Sequence, residues 1–207
     1  MSLKGKGPVE NLNRYRKAKM IEAFLKDALD QNISSFKILD VGCGNGQISS
    51  YFAEKNYVVG VDVEDKNLGN EKIYQFKLIK NEQLPFDDDE FDIVISHHVI
   101  EHVNDQELHL AEIHRVLKIN GLVYIGCPNG GSPFMAGHKG NKMVPNRKKI
   151  IALINDAKFE WVECYTKLLS DPDRYYCELK IGKYLPSKFI KLFQKWYPGH
   201  CFILKLA

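Results

Sequence analysis

Glycines near the start of the chain and histidines near its middle are the residues whose spacing could do chemistry. Asp40-Val41 runs into Gly42-Cys43-Gly44-Asn45-Gly46-Gln47. A G-x-G-x-G turn after an apolar run permits positive φ and lets a ligand approach the backbone without a Cβ in the way. The helix expected to follow offers unpaired N–H groups at its start. A dinucleotide fingerprint wants a small third residue where Gln47 stands, so the spacing argues against that class. Five of the seven histidines fall between His97 and His114. His98-Val99-Ile100-Glu101-His102 matches H-x-x-E-H, in which two histidines one helical turn apart bind zinc and the glutamate is a base. That chemistry needs a long helix, whereas the motif here directly follows an apolar run and is broken by Asn104-Asp105. The acidic run Asp87-Asp88-Asp89-Glu90 lacks the alternating ligands and glycine of a calcium loop and reads as a solvated turn.

The elements that must position these residues alternate along the chain. Glu10–Asn32 carries apolar residues at helical spacing and predicts an amphipathic helix. Strands are expected over Phe36–Val41, Tyr57–Val61, Lys77–Ile79, Phe91–Ser96, Gly121–Cys127, Glu160–Thr166 and Cys201–Leu206. Helices are expected after Gly46 to about Lys55, over Gln106–Lys118 with Asp105 as N-cap, and over Arg147–Ala157. Short apolar strands alternating with helices predict an α/β domain, a doubly wound Rossmann-like sheet with helices on both faces. Such sheets bind ligands beyond the carboxyl ends of their strands.

Taken in order, the motifs resemble the class I S-adenosylmethionine-dependent methyltransferases, in their small one-domain branch. Asp40-Val41-Gly42-Cys43-Gly44-Asn45-Gly46 is similar to that family's first motif, and Asp62 after Val58-Val59-Gly60-Val61 to its ribose-binding carboxylate. Leu84-Pro85-Phe86 with Phe91-Asp92-Ile93-Val94, Ile100-Glu101-His102-Val103 and Arg115-Val116-Leu117-Lys118 resemble later blocks. Asp156-Ala157-Lys158-Phe159 is similar to an A-G-F turn, with lysine in place of glycine. The resemblance covers about residues 36–166 and implies a seven-stranded sheet whose last strand is antiparallel.

The resemblance also implies a cofactor, S-adenosyl-L-methionine, and roles for particular residues. Gly42, Cys43, Gly44, Gly46 and Gln47 would touch its methionyl end. Asp40 would orient the turn and complement the ammonium, or cap loop N–H groups. Asp62, followed by Val63, would accept from two ribose hydroxyls through an ionised carboxylate, or simply end the strand. Lys80 stands where members often have an acid, which leaves Asn81, Glu82 or the backbone to accept from adenine. Ser96 and His97 lie beside the expected sulfonium. His98, His102 and His138 are candidates for a general base, because histidine titrates near neutrality. Zinc hydrolysis through His98, Glu101 and His102, and a non-catalytic nucleotide-binding relative, are the alternatives.

The chain has 207 residues, 44% hydrophobic and 27% charged, enough for one well-buried domain over 1–207. A formal charge of +3 gives no ground for nucleic acid as a partner. Five scattered cysteines without a C-x-x-C pair fit reduced thiols and a cytoplasmic location. The first residues lack the apolar core of a signal peptide. Segments 128–147 and 168–200 are expected to form the acceptor side. Within the second, lysines interleaved with Phe189, Phe193, Trp196 and Tyr197 are compatible with peripheral membrane contact through 186–197. The implied partner is a small-molecule or lipid-like methyl acceptor.

Overall fold

Runs such as Val-Val-Gly-Val and Ile-Val-Ile carry no polar alternation, the mark of strands buried on both faces. The computed structural model describes residues 8–66, 74–131, 144–167 and 199–206. Its elements are α1 (Pro8–Leu29), β1 (Lys37–Val41), α2 (Gln47–Ala53), β2 (Tyr57–Asp62), β3 (Gln75–Leu78), β4 (Phe91–His97), α3 (Gln106–Val116), β5 (Leu117–Pro128), α4 (Arg147–Asp156), β6 (Glu160–Lys167) and β7 (Gly199–Lys205). Among the described residues the sheet has seven strands in the order β3-β2-β1-β4-β5-β7-β6. β7 runs antiparallel to both its neighbours, while the pairings from β3 to β5 are parallel. The doubly wound sheet with an antiparallel last strand is therefore observed as expected.

Helices cover both faces. Met20, Ile21, Phe24 and Leu25 of α1 and Phe52 of α2 pack on Ile38, Ile93, Ile95, Tyr124 and Ile203. On the other face Leu110, Ile113 and Val116 of α3 and Ile150 and Ile154 of α4 cover Leu39, Val94, Val123, Ile125 and Phe202. Phe24 stacks on Tyr124 with ring centroids 6.4 Å apart.

Several element ends shift by a few residues, and the boundary between α3 and β5 differs most from expectation. The helix expected to reach Lys118 ends at Val116, and the strand expected from Gly121 begins at Leu117. Leu117 pairs with Phe91 and Leu122 with Ile93, so Lys118–Gly121 bulge outward, with Asn120 at φ 65°. Sheet pairing of a buried leucine overrides the helical propensity of the residues around it.

The third and fifth sequence blocks are joined by one arginine. Arg115, in the last turn of α3, donates to the carbonyls of Leu84 (2.9 Å) and Phe86 (2.8 Å) and to Asp88 and Glu112. Glu112 in turn accepts from the Leu84 N–H at 2.8 Å. The Leu-Pro-Phe segment is thus pinned to α3 by a planar fork of donors. Lys158, in the glycine position of the later turn, takes φ 62°, the left-handed conformation that favours glycine.

Candidate active site

The sheet reverses its winding between β1 and β4, and open α/β sheets bind ligands outside the carboxyl ends of their strands at such a switch point. From β1 comes the glycine turn, with Gly42, Gly44 and Gly46 at φ 69°, 58° and 72°. A Cβ at Gly46 would run into the Tyr74 hydroxyl, and one at Gly42 into Val99. The turn is fixed by its own backbone: Gly42 and Cys43 N–H groups donate to the Val61 carbonyl (2.8 and 3.0 Å), and Gly46 to Cys43 (2.9 Å).

The two aspartates do different things. Asp40 is 2% exposed and accepts from Ser49 Oγ at 2.6 Å, tying the strand end to α2. Asp62 is half-buried at the tip of β2 and reaches back to the turn, where its Oδ2 accepts from the Gly44 N–H at 2.8 Å. Its Oδ1 accepts from the Glu64 N–H at 3.1 Å. Each oxygen retains a second acceptor site. Val63 beside it is 59% exposed. Cys43 turns its side chain toward Gly60 of β2, so only its backbone faces the turn. Burial, with Asp40 and Asp62 nearby, pushes its thiol pKa far above the usual range. Gln47 opens α2 and is half-buried.

Asn81 and Glu82 both hold backbone. Asn81 Oδ1 accepts from the Gln83 N–H (3.1 Å), and Glu82 accepts from the Asn104 N–H (2.7 Å), which holds its carboxyl below the ordinary value. Ser96 is fully buried, and its Oγ lies 3.1 Å from Nε2 of His109 on α3. His97 lies on the opposite face, its Nδ1 3.2 Å from the Tyr124 hydroxyl, which is itself 3.2 Å from Cys201 Sγ. His98 is exposed, takes φ 59°, and sets Nδ1 3.0 Å from Glu101 Oε1. His102 is exposed on the turn that follows. His138 lies outside the described residues, as do 186–197 and all but the ends of 128–147. Those ends meet: the Gly130 N–H donates to the Pro145 carbonyl at 3.1 Å.

The zinc alternative is corrected here. His98–His102 lies in bends and turns, not on a helix, and Glu101 is a buried partner of His98. Among the described residues no group of three or more His, Cys, Asp or Glu side chains is placed to hold a metal ion. Sequence reasoning missed Tyr124, one hydroxylated side chain in an aliphatic strand and therefore a signal in retrospect. It also missed the buried His200, which looks like any residue of a terminal strand.

The chain matches the model of a methyltransferase domain family over residues 39–125. It is 31% identical over 126 residues to the methyltransferase-family protein YrhH of Bacillus subtilis, a match covering 54% of this chain and 68% of that one. The chain belongs to the class I S-adenosylmethionine-dependent methyltransferases. It is also 31% identical over 135 residues to a ubiquinone biosynthesis O-methyltransferase of Pelagibacter ubique, over 59% of this chain and 56% of that protein. The chain spans about half the length of the ubiquinone-biosynthesis relatives it matches. By fold it is similar to geranyl diphosphate C-methyltransferase of Streptomyces coelicolor, with a TM-score of 0.66 at 17% identity over 91% of this chain and 76% of that one. Among the described residues no helix is long and apolar enough to cross a membrane.

Proposed function

We propose that this chain binds S-adenosyl-L-methionine at the β1–β4 switch point and transfers its methyl group to a small-molecule or lipid-like acceptor in the cytoplasm. The observation that carries the reading is Asp62. A half-buried carboxylate bonded to the Gly44 N–H, with an exposed valine beside it, is the chemical complement of a sugar diol and the apolar face of a base. The residues therefore fit the cofactor: Asp62 toward the ribose, Val63 toward the base, and the Gly42–Gly46 backbone with Asp40 and Gln47 toward the methionyl end. Bound there, the cofactor supplies an electrophilic methyl group that is lost by in-line displacement.

The protein's own contribution is alignment and exclusion of water. Glu82 holds the Leu84 loop to the segment after β4, which leaves Asn81 or the loop backbone to contact adenine. Ser96 and His97 fix the end of β4 from opposite faces of the sheet. The name of the Pelagibacter relative supports an oxygen acceptor. The lysines interleaved with aromatics over 186–197 support an anionic or lipid-like one. Buried thiols at Cys43, Cys127 and Cys201, none of them in a disulfide among the described residues, agree with a reducing compartment.

Calorimetry with S-adenosylhomocysteine, NAD and zinc tests the reading. Micromolar binding of the first alone is expected; binding of NAD but not S-adenosylhomocysteine would overturn it.

A further inference from the structure

We propose that His98, oriented by Glu101, is the base that deprotonates the acceptor, and hence that the acceptor is a hydroxyl group. This rests on the methyl-transfer reading and narrows its acceptor.

Three observations carry it. First, His98 stands in the left-handed region at φ 59° although it is not glycine, and its N–H donates to the Gly126 carbonyl at 2.8 Å. A bulky side chain in that conformation is uncommon, and the hydrogen bond to Gly126 holds it at the strand end. Secondly, its Nδ1 is 3.0 Å from Glu101 Oε1, with the glutamate side chain 1% exposed and the histidine 42%. Oε2 of Glu101 has no hydrogen-bond partner among the described residues. Burying a carboxylate with so little compensation is expensive, and a pair serving only the surface would keep both groups in water. Thirdly, Val99, the next residue, packs on Gly42, so the dyad borders the glycine turn.

The chemistry follows from the partners. With Glu101 Oε1 as the acceptor in that contact, Nδ1 carries the hydrogen and Nε2 keeps its lone pair. The other titratable groups around the dyad are His97, whose ring stands perpendicular at 4.4 Å, the buried His109 and the exposed His102. Carboxylates arrive ionised, whereas thiols and ammonium groups, with ordinary pKa values of about 8.5 and 10.4, exchange their proton with solvent before they attack. A hydroxyl is a poor nucleophile until its proton leaves. In the step, the hydroxyl proton passes to His98 Nε2 and the oxygen forms a bond to the methyl carbon. The carbon–sulfur bond breaks with its electron pair kept by sulfur. Glu101 stabilises the imidazolium, which returns its proton to water.

The test combines spectroscopy with the chemistry of the product. Imidazole 15N spectra of the wild type should show His98 as the Nδ1–H tautomer, and Glu101→Leu, which removes the acceptor, should abolish that preference. Wild-type enzyme given S-adenosylmethionine labelled in its methyl group, with a whole-cell extract of small molecules and lipids, should place label in a product resistant to mild alkali. Hot hydriodic acid should release that label as methyl iodide, the behaviour of a methyl ether. His98→Asn, which tolerates positive φ, should lower the rate by about 100-fold or more with S-adenosylhomocysteine affinity unchanged. Glu101→Gln should act in the same direction by less, through kcat rather than KM. Label on carbon or nitrogen, an alkali-labile ester, an undiminished rate in His98→Asn, or a tautomer indifferent to Glu101 would each overturn the assignment. So would a wild type that binds S-adenosylhomocysteine and labels nothing. Failure of the wild type to bind S-adenosylhomocysteine would instead strike at the methyl-transfer reading.

Discussion

Replacing Asp62 by alanine isolates the central contact of the site. In the free protein its carboxylate accepts two backbone N–H bonds, from Gly44 at 2.8 Å and Glu64 at 3.1 Å. In the complex it would accept two ribose hydroxyls as well. A hydrogen bond to a charged group nets about 1.5–3 kcal/mol. Asp62 is only half-buried and its bonds share one charge, so the sum stays well below simple addition. We therefore expect Asp62→Ala to weaken S-adenosylhomocysteine binding by about 2–3 kcal/mol, roughly 30- to 150-fold in Kd. Asp62→Asn keeps one acceptor oxygen and should lose about tenfold. Titration calorimetry gives the affinities. A thermal scan without ligand separates the two roles, because loosening the Gly44 turn lowers Tm whether or not sugar is bound. A Kd for Asp62→Ala equal to that of wild type, with a lowered Tm, would reduce the aspartate to a turn residue and refute the reasoning.

Other consequences are independent of ligand. Arg115→Met strips five acceptor atoms on four residues of their donor and should cost about 2 kcal/mol, read from the urea midpoint. Lys158→Gly relieves a left-handed residue at the end of α4 and should stabilise by about 1 kcal/mol, read as a raised Tm. Burial of His109, only partly offset by Glu82 and Glu101, lowers its pKa from 6.5 to about 4. Burial, aided by Arg147, does the same for His200. Between those values the unfolded chain binds protons that the folded chain refuses. The stability is fully present above pH 6.5 and is lost as the pH falls toward about 4, on the order of 3 kcal/mol per residue. Urea melts across that window should show the loss, and His109→Gln should remove about half of it, leaving the share of His200.

The sheet was legible because parallel strands buried on both faces must be continuous apolar runs, as Ile93-Val94-Ile95 and Val58-Val59 are. The glycine turn was legible because few sequences place three glycines at alternate positions after a strand. The start of β5 was not, since a two-residue pairing of Leu117 with Phe91 leaves no period to read. Nor was the use of each carboxylate. Glu82 and Asp62 look alike in sequence, both acids near a strand end. One goes to the Asn104 N–H, 22 residues away along the chain, and the other to Gly44, 18 residues away. Such choices depend on which backbone donors the tertiary fold leaves unpaired. His98 and His102 match a metal pair with Glu101 as its base because residue types alone carry no helix; the turn geometry after β4 is what separates a dyad from a zinc site.

The sheet register explains why these residues meet at all. Val41 pairs with Val61 on one side and with Ser96 on the other, and His97 pairs with Gly126. Asp62, Gly42, His97 and Gly126 therefore form one row across β2, β1, β4 and β5, a step beyond the last aliphatic pair. Glycine at two of the four places is a packing requirement. A Cβ at Gly126 would stand 2.5 Å from His97 Nδ1 and 2.7 Å from the Tyr124 hydroxyl, and one at Gly42 would displace Val99. The row thus alternates groups that offer chemistry with positions emptied so that neighbouring side chains can stand over the sheet edge. Because the register of a buried sheet cannot slip without turning every apolar side chain to the wrong face, the core itself fixes the spacing between the carboxylate that would hold the sugar and the histidines that would meet the acceptor.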